Sequence, residues 1–261
     1  MNSPWLSVFS NVLRNRLRRS ALGGMWRHLE VPRDAKIHLV AATKLSEEAF
    51  WSESLLGRSL EKWRDLASLR WTVAFENRRG LPQIYNESIA RESTADVMVF
   101  MHDDVWLADQ EWTDKVVTAL KSYDVIGVAG NKRRQPGQSA WLFLPWSPVG
   151  FQWDRQYLSG RIAHGTDEAH EIEEFGPAPA SCELLDGVFL AVNARAMRAS
   201  RLRFDTRFAF HFYDMDFCRA AGKAGLTLGT WTIDLIHASA GSFGSPSWLG
   251  MWCHYRAKWG Q

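Results

Sequence analysis

Cysteine is scarce in this sequence: Cys182, Cys218 and Cys253 are the only three in 261 residues. An odd number at wide spacing implies no disulfide framework and fits a reducing, cytoplasmic setting. Long apolar runs are missing as well. No window nears the ~20 apolar residues needed to cross a bilayer, and the opening residues lack the apolar core of a secretory signal. Net charge is only +2, too near neutral for a nucleic-acid binder, so nucleic acid is not expected as a partner. Internal repeats and low-complexity tracts are absent.

What is present is an ordinary folded composition. Hydrophobic residues make up 46% and charged residues 23%, which excludes wholesale disorder at a length sufficient for one large core. One excess stands out, 14 tryptophans; core packing uses such rings, and so do surfaces that handle sugars. Charge is also uneven. Residues 1–36 carry seven Lys and Arg against Glu30 and Asp34, leaving the rest of the chain at −3. Trp5, Leu6, Phe9, Val12 and Leu13 fall on one face of a helix in this basic head. Such a helix either lies in an anionic membrane surface or packs on the domain with its arginines in water. The chain therefore divides into a basic amphipathic extension, 1–35, and a folded unit, 36–261.

From Lys36 onward short apolar runs alternate with helical segments. Strands are expected at 36–42, 69–75, 96–101 and 125–129, with a helix capped by Ser46, another opened by Pro82, and a third near 112–120. Strands separated by helices imply right-handed crossovers and a mainly parallel sheet. Ligands of such sheets gather at the carboxyl ends of the strands. From 130 to 181 the alternation fails and prolines, glycines, tryptophans and acids take over, the mark of a lid or mobile insertion. Regular structure resumes with a strand at 184–192, a helix at 214–223, a strand at 226–236 and a terminal helix at 248–258.

Two runs carry chemistry. In VMVFMHDDV (97–105) an apolar strand ends directly in His102, Asp103 and Asp104. Extended backbone sends His102 and Asp104 to one side and Asp103 to the other. Carboxylate with imidazole suits Mg²⁺ or Mn²⁺, which in turn can hold a diphosphate; the alternative is a turn in which an aspartate caps the next segment. In HFYDMDFC (211–218), Asp214 stands at a helix start, where the positive end of the dipole favours its ionised form and leaves it able to accept a proton; the alternative is a plain N-cap. His237, after the strand TIDLI, joins Asp104 in a metal site if the two strand ends meet.

The ordered set YNESIA (85–90), MVFMHDDV (98–105), VAGN (128–131), DGVFLAV (186–192), RFD (203–205), FHFYDMDFC (210–218) and IHASAGS (236–242) resembles glycosyltransferase family 2, in the subgroup with HDD in place of the usual Asp-x-Asp. The likeness spans about residues 36–258. It implies a GT-A fold, that is, an α/β protein with a single Rossmann-type, mainly parallel sheet flanked by helices, and an irregular lid-like insertion. It also implies transfer of a sugar from a nucleotide-sugar donor to a hydroxyl on a saccharide or lipid-linked acceptor, with inversion. By this resemblance Asp104, His102 and His237 hold a divalent cation (Mn²⁺ or Mg²⁺), and Asp214 is the general base. Thr43, Glu76, Asn77 and Asp103 bind the donor, and Trp146, Asp186 and Gly187 meet the acceptor. His102 stands where the first acid is usual, and Tyr213 where a glutamate is usual. Two other readings fit the same acids: a metal-dependent phosphoesterase or nucleotidyltransferase, and a non-catalytic carbohydrate-binding relative. With the basic head, the first reading also implies a cytoplasmic protein resting peripherally on the inner face of a membrane.

Overall fold

The computed structural model describes residues 30–260 apart from 149, 240 and 242. The expected membrane-binding helix of residues 1–35 lies almost wholly outside the described residues. The strands are β1 (Ile37–Ala42), β2 (Leu69–Ala74), β3 (Val97–Met101), β4 (Val105–Leu107), β5 (Val125–Gly127), β6 (Ala129–Asn131), β7 (Leu158–Gly165), β8 (His170–Gly176), β9 (Ala180–Cys182), β10 (Leu184–Leu185), β11 (Phe189–Asn193), β12 (Leu228–Thr230) and β13 (Leu235–His237). The α-helices are α1 (Glu47–Glu53), α2 (Leu55–Leu60), α3 (Leu81–Arg91), α4 (Trp112–Ala119), α5 (Ala194–Ala199), α6 (Tyr213–Lys223) and α7 (Pro246–Trp259). Among the described residues no helix is long and apolar enough to cross a membrane.

The first sheet runs β2-β1-β3-β11-β5-β12-β9. β1 pairs in parallel with β2 and β3, the expected crossover pattern. β3 and β11 are buried at every residue, as strands covered on both faces must be. The α/β class is as the sequence implies, and two details differ. The sheet is mixed, because β11 enters antiparallel between β3 and β5. A second sheet, β10-β6-β7-β13-β4 with β8 on β7, stands beside the first in place of a single one. The stretches 125–129 and 226–236 each read as one strand. Each instead splits, giving β5 and β12 to the first sheet and β6 and β13 to the second.

Helix ends follow their sequence signals. Ser46 caps α1 by accepting from the Ala49 N–H. Ser54 then interrupts the helix expected to continue through Leu56: its hydroxyl donates to the Phe50 carbonyl at 2.9 Å and accepts from the Gly57 N–H at 2.8 Å, ending α1 and starting α2. The stretch read as a lid is only partly irregular. Residues 132–157 lack long strands but are fastened by Asp154, 3% exposed, which accepts from Arg133 Nε at 2.8 Å and from Arg133 NH2 at 2.6 Å. Residues 158–176 form the β7–β8 hairpin, whose period-2 signal is diluted by glycine, serine and charge. Glu171, Glu173 and Glu174 lie on β8, an edge strand that such charges protect from further pairing.

Gly160 stands where β7 shifts register against β8: its φ is +95°, and a Cβ there would lie 1.9 Å from the Val128 carbonyl oxygen. Gly160→Ala should therefore lose more than about 2 kcal/mol of stability, read as a lowered urea midpoint.

Candidate functional site

The site forms where the two sheets meet. β3 leaves the first sheet at Met101, the chain passes through His102, Asp103 and Asp104, and β4 begins the second sheet at Val105. β13 pairs antiparallel with β4 so that His237 faces Val105, and the Ala238 N–H donates to the Asp104 carbonyl at 3.0 Å. This register sets His237 Nε2 3.3 Å from Asp104 Oδ1. His102 Nδ1 lies 4.0 Å from the same oxygen, on the side that strand alternation predicts. One ligand atom from each of these three side chains lies within 4.8 Å of the others, a trio able to hold a metal ion.

The tautomer of His102 follows from its neighbour. Tyr213 Oη donates its single proton to the Gly187 carbonyl at 2.8 Å. Its contact with His102 Nε2 at 2.9 Å must then be one in which the imidazole N–H donates. The lone pair of His102 is thereby left on Nδ1, facing Asp104, as a ligating imidazole requires. Burial and the neighbouring charge of His237 lower the His102 pKa, which keeps the ring neutral. Burial opposes ionisation of Asp104, but the hydrogen bond and charge of His237 and a hydrogen bond from Ser239 outweigh it and hold the carboxyl well below the usual range. For His237 burial likewise works against the charged form, and Asp104 reverses it, so its pKa rises.

Asp214 opens α6 on the other side of Tyr213. Its Oδ2 accepts from the Gly187 N–H at 3.2 Å. The Asp186–Gly187 turn between β10 and β11 completes this wall. Asp186 accepts from the Val188 N–H and from Trp141 Nε1, both at 2.7 Å. A Cβ on Gly187 would lie 2.4 Å from Tyr213 Oη and 2.9 Å from Asp214 Cβ, so only glycine admits this approach. The expectation that the helix terminus leaves Asp214 ionised at neutral pH needs correction. Desolvation, with the like charge of Asp186, pushes its pKa up to about 7 against the hydrogen bonds donated to it. At neutral pH the carboxyl is poised between its two forms, the condition that suits a general base.

One cavity collects these groups: His102, His237, Asp186, Gly187, Tyr213 and Asp214 all line it. Thr43, Glu76 and Asn77 are elsewhere, in a turn at the ends of β1 and β2 where the Asn77 N–H donates to the Thr43 carbonyl and the Glu76 N–H to that of Leu45. Asp103 accepts through its carbonyl from the Leu56 N–H. None of these four lines the cavity. Trp146, 52% exposed, lies outside against Trp252. Sequence reasoning missed His164, which faces His237 across β7 and β13 and lines the cavity with Nε2 3.4 Å from Glu173. It also missed the aromatic wall of Phe175, Phe210, Phe212, Phe243 and Trp248. Only the tryptophan excess hinted at that wall.

Among curated proteins none matches the chain. Three solved structures are similar over most of it. The mannosyltransferase PcManGT from Pyrobaculum calidifontis, in complex with GDP-Man and Mn²⁺, is 13% identical with a TM-score of 0.44, covering 92% of this chain and 68% of its own. TarS from S. aureus is 11% identical at 0.46, over 85% of this chain and 39% of its own. GalNAc-T7 with UDP, GalNAc and Mn²⁺ is 10% identical at 0.45, over 81% of this chain and 45% of its own. The chain thus spans under half the length of the latter two. A family model described as "Glycosyltransferase like family" matches residues 72–258. Because that match runs from β2 into α7 and takes in the His-Asp-His trio and Asp214 alike, the chain belongs to the glycosyltransferase-like family.

Proposed function

We propose that this chain is a metal-dependent, inverting glycosyltransferase that moves a sugar from a nucleotide-sugar donor to a hydroxyl on a saccharide or lipid-linked acceptor. The observation that carries the reading is the meeting, on one cavity, of two histidines of the metal-competent trio with a carboxyl whose pKa is about 7. A divalent cation held by His102 Nδ1, Asp104 and His237 would supply the positive charge that steadies a leaving diphosphate, and a donor set with two imidazoles favours Mn²⁺ over Mg²⁺.

Asp214 takes the acceptor proton as the acceptor oxygen bonds to the anomeric carbon and the bond from that carbon to the diphosphate breaks. Attack opposite the leaving group inverts the configuration. Asp186 keeps the base poised by its like charge and is itself held by Trp141 and Val188. Gly187, packed against Tyr213 and Asp214, meets the acceptor beside the base, with Trp146 at the rim. Thr43, Glu76, Asn77 and Asp103 bind the donor from the neighbouring strand-end loops. The basic segment 1–35 rests the protein on the anionic inner face of a membrane.

Three outcomes test the reading. Mn²⁺ should raise the melting temperature of the wild-type protein and fail to do so with Asp104→Asn, while Tyr213→Phe, which frees the His102 tautomer, should weaken Mn²⁺ binding about 10–100-fold by titration calorimetry. Asp214→Asn should keep the Mn²⁺ response and lose about 10²–10⁴ in transfer rate; full turnover by that folded variant would end the assignment of the base.

The third outcome is a pH dependence. Transfer should fall as pH drops through about 7, where Asp214 takes up its proton, and Asp186→Asn should move that limb to lower pH. The same shift acts on stability. A carboxyl whose pKa is higher folded than unfolded makes the native state bind more protons between pH about 4 and about 7, so stability declines as pH rises through that window. Asp214→Asn should accordingly raise the melting temperature at pH 8 and leave it little changed at pH 4.

A further inference from the structure

Two kinds of side chain line the cavity. His102, His164, Glu173, Asp186, Asp214 and His237 bring polar atoms. Leu142, Phe175, Phe212, Phe243 and Trp248 bring carbon, and both Phe212 and Phe243 lie against Trp248. A sugar ring carries a hydroxyl on nearly every carbon, and each buried hydroxyl needs a partner or costs free energy. The group of Phe212, Phe243 and Trp248 offers no side-chain partner beyond the Trp248 indole N–H. Trp141, which also lines the cavity, has already committed its indole N–H to Asp186.

The apolar surface does not stop at the cavity. Trp248 stacks on Trp252 with ring centroids 6.1 Å apart and planes at 19°, and Trp252 meets Trp146 at 6.2 Å. On the other flank Trp248 meets Phe151 edge-on at 5.5 Å, and Phe151 lies 6.4 Å from Phe243. Trp146 is 52% exposed, Phe243 42% and Phe151 37%; with Phe210, 52% exposed and stacked on His102, they are four of the six large apolar side chains that stand exposed among the described residues. Singly exposed apolar residues are commonplace, whereas a contiguous set at the mouth of a site marks a binding surface. The track from Trp248 through Trp252 to Trp146 covers two ring-to-ring steps beyond the cavity, longer than one small aromatic group would fill.

We infer that this aromatic track is the acceptor subsite for a hydrocarbon chain: the acceptor of the proposed transfer is amphiphilic, presenting its hydroxyl to Asp214 while its chain lies over Phe243 and Trp248 and leaves past Trp252 and Trp146. The inference rests on the proposed transferase reading and narrows its acceptor to the lipid-linked class. The chain supplies affinity by removing apolar surface from water, and its place over Phe243 and Trp248 leaves the hydroxyl to pair with the polar side chains of the same cavity.

The test is a chain-length series on the full-length protein: methyl, hexyl and octyl β-glucopyranoside, each below its micellar concentration, titrated by calorimetry with chelator present. Affinity should rise up to about fourfold for each methylene that is buried, so that the octyl compound binds at least 100-fold more tightly than the methyl one. Phe243→Ser and Trp146→Ser, both at exposed positions along the track, should each cut the octyl gain by tenfold or more. Equal affinities across the series would overturn the inference. So would an octyl gain that both variants leave intact, which is adsorption elsewhere, or sedimentation showing a dimer that Phe243→Ser dissolves, which makes the patch a self-association face. Because the series needs neither metal nor donor, it stands or fails separately from the Mn²⁺ and Asp214 tests of the transferase reading.

Discussion

The hydroxyl of Tyr213 is the joint on which the site depends. It gives its proton to the Gly187 carbonyl and takes one from His102, so one buried atom ties together the end of β3, the turn before β11 and the start of α6. Each of those segments brings a different functional group: His102 to the metal trio, Asp186 beside the turn, Asp214 on the first turn of the helix. A buried hydroxyl with both its donor and acceptor capacity used is costly to rearrange. That cost fixes the separation between the metal-competent side chains and the carboxyl more firmly than any loop could. A phenol also does here what a carboxylate could not: an ionised carboxylate has no proton to give the Gly187 carbonyl, and it would add a third negative charge beside Asp186 and Asp214.

The same small volume drives two aspartates in opposite directions. Both are desolvated, which alone would raise both pKa values. Asp104 faces His237, Ser239 and His102 and stays ionised. Asp214 has only backbone N–H donors to set against burial and the charge of Asp186, and its pKa rises to about 7. Two carboxylates of one type thus separate into a permanent anion suited to a cation and a titrating group suited to proton transfer.

Much of this was legible in the residues. The apolar run ending in His102, Asp103 and Asp104, the alternation that pairs His102 with Asp104, and the helix beginning at Asp214 are all local patterns, and local patterns survive in one dimension. The sheet boundaries were not legible, because Val125–Asn131 is a short run of apolar residues and glycine and Leu226–His237 alternates apolar residues with Thr and Asp, so each reads as a single strand. The raised pKa of Asp214 was not legible either. Helix-end electrostatics is a sequence-local effect, whereas the burial and the Asp186 charge that override it come from a turn 27 residues away along the chain. The aromatic wall was hidden for a related reason: its rings come from residues 141–153, 175, 210–212 and 243–252, and only folding brings them together.

Those unreadable sheet switches are what build the site. Had 226–236 remained one strand of the first sheet, His237 would have continued away beside β5. By leaving that sheet after Thr230 and re-entering the second at Leu235, the chain carries His237 into register with Val105, next to Asp104, and with His164 on β7. The step from Gly127 to Ala129 does the matching work on the other side: the Ala129 carbonyl accepts from the Asp186 N–H at 2.9 Å, anchoring the turn that holds Gly187 against Tyr213. A seam between two sheets can bring strand ends together from both, which no edge of a single sheet can do. The metal-competent side chains therefore meet at the seam, while β8, the segment 132–157 and α7 bring Phe175, Trp141 and Trp248 to the same cavity. Polar groups and carbon surface share one cavity because the chain changes sheets there.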